Sequence, residues 1–164
     1  MAKMESMNDL FLHELKDIYH AEQQLVDALP KISEKISSSE FKSAAEMHLE
    51  QTKDHVKRIE RVFDQLGESP VAEQCQAMQG LLDEAREIIS QDTSSEVLDA
   101  ALIAAQQKVE HYEIASYGTL ITWAEELNNK EVADILKESL KEEKQADDKL
   151  TQIAVQSANE RAIK

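Results

Sequence analysis

The sequence predicts an all-α fold: a four-helix bundle made of two helical hairpins, joined by a crossover that carries a short extra helix. Only three Gly and two Pro occur in 164 residues, too few for a chain rich in turns, and aromatics make up 4%. The helix formers Ala, Leu, Glu, Lys and Gln dominate. Four long stretches space their apolar residues by alternating steps of three and four, the period of a helix face, and no Val/Ile-rich run has the two-residue period of a strand. At this length a single domain, 1–164, can bury a sizeable core.

The first helix is predicted from near Asn8, after Ser6, to about Ile36, with Phe11, Leu15, Ile18, Glu22, Leu25 and Leu29 on one face. Pro30 has no amide to donate, which predicts a kink. The run Ser37-Ser38-Ser39 reads as a turn whose hydroxyls cap a second helix. That helix carries Phe41, Ala45, His48, Thr52, His55, Ile59, Val62 and Leu66, and ends at Gly67, a natural C-terminal cap. Ser69 and Pro70 are expected to open the crossover helix, with Cys75, Met78, Leu82, Ala85 and Ile89 on one side. After the polar stretch 91–95 comes a third long helix with Ile103, Gln106, Glu110, Glu113, Tyr117, Leu120 and Ala124 inward. Asn128-Asn129 supplies a tight turn, and the fourth presents Leu136, Leu140, Glu143, Asp147, Leu150 and Ala154. The polar tail after Ala158 is expected to fray.

The formal charge is −15, from 33 acids against 18 Lys and Arg. Such a surface repels phosphate backbones and anionic lipid, so neither nucleic-acid nor membrane binding is expected. The lone cysteine, Cys75, excludes an internal disulfide framework and fits a reducing compartment. No stretch has the layout of a signal peptide or the length of a membrane span, so the expected location is cytoplasmic. Gly-rich phosphate loops, nucleophile elbows and paired-Cys zinc patterns are all missing from the sequence.

What distinguishes the four faces is acid in the middle of them. Glu22 interrupts the first, Glu110 and Glu113 the third, Glu143 and Asp147 the fourth, and no Lys or Arg shares those lines. Carboxylates aimed at a bundle core are costly unless something positive lies between them, and metal is the natural counter-charge. Ligands on one helix must be three or four residues apart, which Glu110/Glu113 and Glu143/Asp147 satisfy. Thr52-x-x-His55 stands where a Glu-x-x-His pair would complete a dinuclear carboxylate site. The expected ligands are therefore Glu22, His55, Glu110, Glu113, Glu143 and Asp147. This oxygen-rich set suits iron or manganese, in a centre that can be dinuclear, with other divalent cations as substitutes. His48 reads as a buried, hydrogen-bonded histidine, Tyr117 and Cys75 as packing, and Glu50 and Asp54 as solvated. A short repeat links the two halves: His20-Ala-Glu22 echoes His111-Tyr-Glu113, and Thr52 and Glu143 follow at equal distance from the two glutamates.

The chain resembles the YciE/YciF family of ferritin-like bacterial stress proteins. The resemblance rests on Asp17-Ile-Tyr-His-Ala-Glu-Gln-Gln-Leu25, Ala28-Leu-Pro-Lys31, His48-Leu-Glu-Gln-Thr52, Cys75-Gln-Ala-Met-Gln-Gly-Leu81, Lys108-Val-Glu-His-Tyr-Glu-Ile-Ala-Ser-Tyr-Gly-Thr119 and Glu142-Glu-Lys-Gln-Ala-Asp147. It implies a ferritin-like bundle, commonly a homodimer, similar to rubrerythrin in helix arrangement. It places metal ligands on Glu22, Glu110, Glu113 and Glu143, with His55 as the second helix's histidine. Two departures stand out. Thr52 replaces a bridging Glu, and Ala146 replaces a histidine, which leaves a second metal position short of ligands. Three functions stay open at this point: a redox enzyme acting on peroxide or Fe²⁺ with an unknown redox partner, a non-catalytic stress or assembly protein with a vestigial metal site, and caged iron storage.

Overall fold

The computed structural model describes residues 4–163, and all of the regular structure there is helical. Six helices follow in order: α1 (Met7–Ser33), α2 (Ser39–Leu66), α3 (Gln76–Ile89), α4 (Ser95–Glu126), α5 (Lys130–Ile153) and α6 (Asn159–Ala162). Ser6 caps α1 in a reciprocal box with Asp9, and Ser38, Ser94 and Asn129 cap α2, α4 and α5 through their side-chain oxygens. Gly67 ends α2 with φ of 69°, and Asn128 takes the same left-handed turn at φ of 57° before α5.

Cross-helix contacts fix the directions. α1 meets α4 head to tail, with the Ser37 and Ser38 amides at the end of α1 donating to Asp99 near the start of α4. α2 and α5 also run antiparallel, since Gln65 donates to Glu131 while Lys149 pairs with Glu40. Hairpins α1/α2 and α4/α5 close into a ring in which α2 ends and α4 begins at opposite ends of the bundle. The link between them must travel the bundle's length, and α3 does so, packed over α1 and α4. This is the one-crossover bundle expected from the sequence.

The differences lie at element ends. α1 stops at Ser33 rather than Ile36, because Pro30 falls in its last turn and buried Asp99 draws the serine turn onto α4. The crossover helix begins at Gln76, not at Pro70. The stretch before it is held in non-helical form along α1, where the Glu73 amide donates to the Lys16 carbonyl and the Cys75 amide to His20 Nδ1. The tail does not fray at Ala158. That side chain is buried, and a π-helical turn, Ala154–Ala158, carries α5 into α6.

The core splits into two apolar clusters. One gathers Phe11, Leu15, Ile18, Ile59, Phe63, Leu120 and Leu136, and the other Phe41, Ala45, Leu102, Ile103, Leu150 and Ile153. Removing each such side chain from water contributes roughly 1.5–3 kcal/mol. These clusters brace, above and below, a polar layer that could not stabilise itself. No helix among the described residues is long and apolar enough to cross a membrane.

Candidate metal centre

Mid-bundle, each of the four long helices delivers fully buried polar side chains into one layer: Glu22 from α1, His48 and His55 from α2, Glu110 and Glu113 from α4, and Glu143 from α5. They form two overlapping groups. Glu22, His55 and Glu143 make one, and His48, Glu110, Glu113 and Glu143 the other; within each, one ligand atom per residue lies within 4.8 Å of all the rest. Glu143 belongs to both. Its Oε1 lies 2.8 Å from His55 Nδ1, and its Oε2 faces His48 Nε2 at 3.9 Å. His55 Nδ1 also lies 3.2 Å from Glu22 Oε1, and His48 Nε2 lies 3.4 Å from Glu110 Oε1.

Most of these atoms have no hydrogen bond, because the close approaches lack its angles. Glu22 Oε2, both His48 nitrogens, His55 Nδ1, Glu110 Oε2 and all four oxygens of Glu113 and Glu143 are buried without a partner. Buried polar atoms are normally satisfied, so this many orphans in one layer call for something that accepts lone pairs. Four carboxylates with two imidazoles fit a pair of divalent cations in charge, and the oxygen-rich donors fit iron or manganese in kind. The residues fit the group.

Electrostatics follow from the crowding. Burial first, and then repulsion from Glu143, Glu22 and Glu110, raises the Glu113 carboxyl well above its usual range. Burial likewise raises Glu110, despite His48 beside it. Burial alone would lower His55, but Glu22 and Glu143 overcome it and push its pKa up to about 11. Without metal, the layer therefore holds protons in place of cations.

A supporting shell orients the ligands. His55 Nε2 lies 2.8 Å from Glu142 Oε2, and Arg58 grips that carboxylate with two bonds, 2.6 Å to Oε2 and 3.0 Å to Oε1. Although part-burial works against it, Arg58 and His55 hold Glu142 below the usual carboxylate range. An ionised Glu142 accepts the Nε2 proton, which leaves Nδ1 aimed at Glu22 and Glu143. On the opposite wall Tyr117 donates to Glu22 Oε1, and Gln106 Nε2 donates to Glu110 Oε1 at 3.2 Å. Tyr117 thus anchors a carboxylate as well as filling core space.

Of the six residues expected as ligands, the layer brings together Glu22, His55, Glu110, Glu113 and Glu143. Asp147 lies outside it. Asp147 lies just over one helical turn beyond Glu143, and its side chain sits toward the outer side of α4, where Gln107 donates to it at 3.0 Å and His111 pairs with it at 3.2 Å. His48, read from the sequence as a hydrogen-bonded core histidine, has no hydrogen-bond partner and sits in the second group instead. Its signal was its place two turns before His55 on one face. Glu142 carried no such signal, because the seam between α2 and α5 exists only once the helices pack. Glu50 and Asp54 are exposed and pair with Lys53 and Lys57. Thr52 faces the layer, but its hydroxyl donates 2.8 Å to the His48 carbonyl.

The comparisons agree with this architecture. Residues 6–163 match the family described as "Domain of unknown function (DUF892)". The chain is 46% identical over 160 residues to Protein YciF of Escherichia coli K12, covering 97% of this chain and 96% of that protein. The solved structure of the E. coli stress protein YciF matches with a TM-score of 0.89 at 47% identity, over 95% of this chain and 99% of that one. YcfI from Rhodopseudomonas palustris matches at 0.91 and 44%, over 93% and 98%. A Xanthomonas campestris protein at 21% identity shares the fold, with a TM-score of 0.76 over 97% of this chain and all of that one. With a shared bundle, a shared length and nearly half the residues in common, the chain belongs to the YciE/YciF family of ferritin-like proteins.

Proposed function

We propose that this is a stress-response protein whose bundle holds two divalent ions, iron or manganese, and that it uses them to handle peroxide or to oxidise Fe²⁺. The observation that carries the reading is Glu143, which turns one oxygen to His55 and the other to His48, as a bridging carboxylate would. When bound, a pair of redox-active ions supplies electrons to an O–O bond. The chain's own residues do the rest. Glu22 and His55 would hold one ion and His48, Glu110 and Glu113 the other, with Glu143 common to both groups. Glu142 and Arg58 keep His55 Nδ1 forward, while the apolar clusters on both sides exclude bulk water. His48 supplies an imidazole that Ala146 does not. The stress assignment follows the E. coli relative, a stress protein.

Anaerobic reconstitution with Fe²⁺ or Mn²⁺, metal analysis and then peroxide addition tests this. Metal uptake, a changed metal spectrum and loss of peroxide are expected; an inert spectrum with peroxide intact would sink the catalytic part. Thr52 favours a second reading, a structural metal site without turnover, because its hydroxyl is committed to the His48 carbonyl and offers no bridge. Metal-dependent melting that disappears in Glu113→Gln, with no peroxide loss in either protein, would select that reading. We place the protein in the cytoplasm as a homodimer, and sedimentation at dimer size rather than as a cage would support this over iron storage.

A further inference from the structure

Two side chains meet at Glu110 Oε1. Gln106 Nε2 donates to it at 3.2 Å and His48 Nε2 lies 3.4 Å away, so the Gln106 amide and the His48 ring stand side by side. Each has a further polar atom to place. With its nitrogen committed to Glu110, Gln106 keeps its carbonyl Oε1, and His48 keeps Nδ1; both atoms are buried and neither has a hydrogen-bond partner.

Both side chains line a cavity of about 20 Å³ between α1, α3 and α4. The rest of its wall is apolar, with Leu25 and Leu29 from α1, Leu82 and Ala85 from α3, and Ala105 and Val109 from α4. One buried water needs roughly 10–15 Å³ and two to four polar partners. The cavity meets the first condition, and Oε1 with Nδ1 meets the second with nothing to spare, which suits one water rather than a chain of them. The space on the α2/α5 side of the same pair, about 10 Å³, is at the lower limit for even one.

Donors and acceptors also match in sense. A histidine that gives its Nε2 lone pair to a cation carries its proton on Nδ1 and donates it to a carboxylate, a carbonyl or a water. For His55 the outer nitrogen has Glu142 as that partner. No group among the described residues does the same for His48. A water in the cavity accepts the Nδ1 proton and donates one of its own to Gln106 Oε1, the end of the amide turned away from Glu110.

From this geometry we infer that one ordered water bridges His48 Nδ1 to Gln106 Oε1 and holds the His48 ring with Nε2 toward Glu110 and Glu143. The water site stands on the cavity and its two unpartnered atoms; its role in positioning His48 rests on the metal-centre reading. Gln106 is then a positioning residue for two ligands, Glu110 directly and His48 through the water.

A high-resolution crystal structure of the metal-free full chain tests the site. A water within hydrogen-bond distance of both atoms is expected in the native protein. It should be gone from Ala105→Leu, whose side chain fills the space and leaves every ligand and Gln106 in place. Should that variant fold poorly, Ala85→Leu fills the cavity from α3. A dry cavity in the native crystal, or water only on the α2/α5 side of the ring, would overturn the inference. Competition titrations with Mn²⁺ test the role. The filled variant should bind the ion beside His48 about 10–100-fold more weakly and leave binding at Glu22 and His55 at native strength. Unchanged affinity would overturn the positioning role, and so would equal weakening at both positions, which a general loosening of the bundle produces. A native chain that shows the water but takes up no Mn²⁺ would overturn the metal-centre reading alone.

Discussion

Replacing Glu113 by Met should make the metal-free protein more stable while abolishing its response to metal. Glu113 is fully buried, and neither of its oxygens has a hydrogen-bond partner. Each unsatisfied oxygen costs about 1–3 kcal/mol. Met has nearly the same length and no polar oxygen, so the substitution removes both penalties at a repacking cost of about 1–2 kcal/mol. At mid-range, about 4 kcal/mol of relieved penalty less about 1.5 kcal/mol of repacking, the net gain is about 2.5 kcal/mol, which for a chain of this size raises the melting temperature by roughly 5–10 °C. Conversely, metal at a hundredfold excess over its Kd stabilises the native chain by about 2.7 kcal/mol, a term the variant should lose. Calorimetric melts of both proteins, with chelator and with Mn²⁺, provide the four numbers needed. A metal-free Glu113→Met protein that melts below the native one would refute the reasoning, because it would mean Glu113 is satisfied in the core without any ion.

Other expectations follow from the same layer. If the layer takes up two ions, His48→Ala should lower uptake by one per chain and leave the Glu22/His55 position able to fill, as metal analysis per chain would reveal. Glu142→Gln should weaken metal binding about 10–100-fold by loosening His55, with the helical spectrum unchanged. If competition titrations show native affinity, the Arg58–Glu142 clamp does not orient the ligand. The pH dependence has a definite sign. The native-state carboxyls of Glu110 and Glu113 sit above their unfolded value of 4.5, and His55 lies at about 11 against 6.5. The folded metal-free chain thus binds more protons than the unfolded one. The His55 contribution is fully present below 6.5 and is lost as pH rises toward 11, and the two carboxyls add a falling term above 4.5. Stability of the metal-free chain should therefore decline from pH 5 to pH 8, and metal uptake should release protons and tighten with rising pH. Denaturant melts across that range and titrations in buffers of differing ionisation enthalpy would show both effects.

Much of this protein can be read along the chain. Helical period, caps at Ser6, Ser38 and Gly67, and the Asn128-Asn129 turn define the four long helices, because capping and amphipathic spacing are local properties of backbone and side chain. The mid-stripe acids on α1, α4 and α5 are legible for the same reason: a carboxylate on an apolar face is conspicuous in one dimension. Which of them converge is not. Glu143 and Asp147 are equivalent by spacing, yet α4 supplies Gln107 and His111 to draw Asp147 outward while Glu143 turns in. His48 looks like any core histidine until Glu110 and Glu143 arrive from other helices. Glu142 becomes a positioning group only because antiparallel packing of α2 on α5 sets it against His55 and Arg58. Periodicity and end caps act between near neighbours in the chain, whereas ligand convergence depends on the depth and rotation at which separate helices meet, and only the packed tertiary structure sets those.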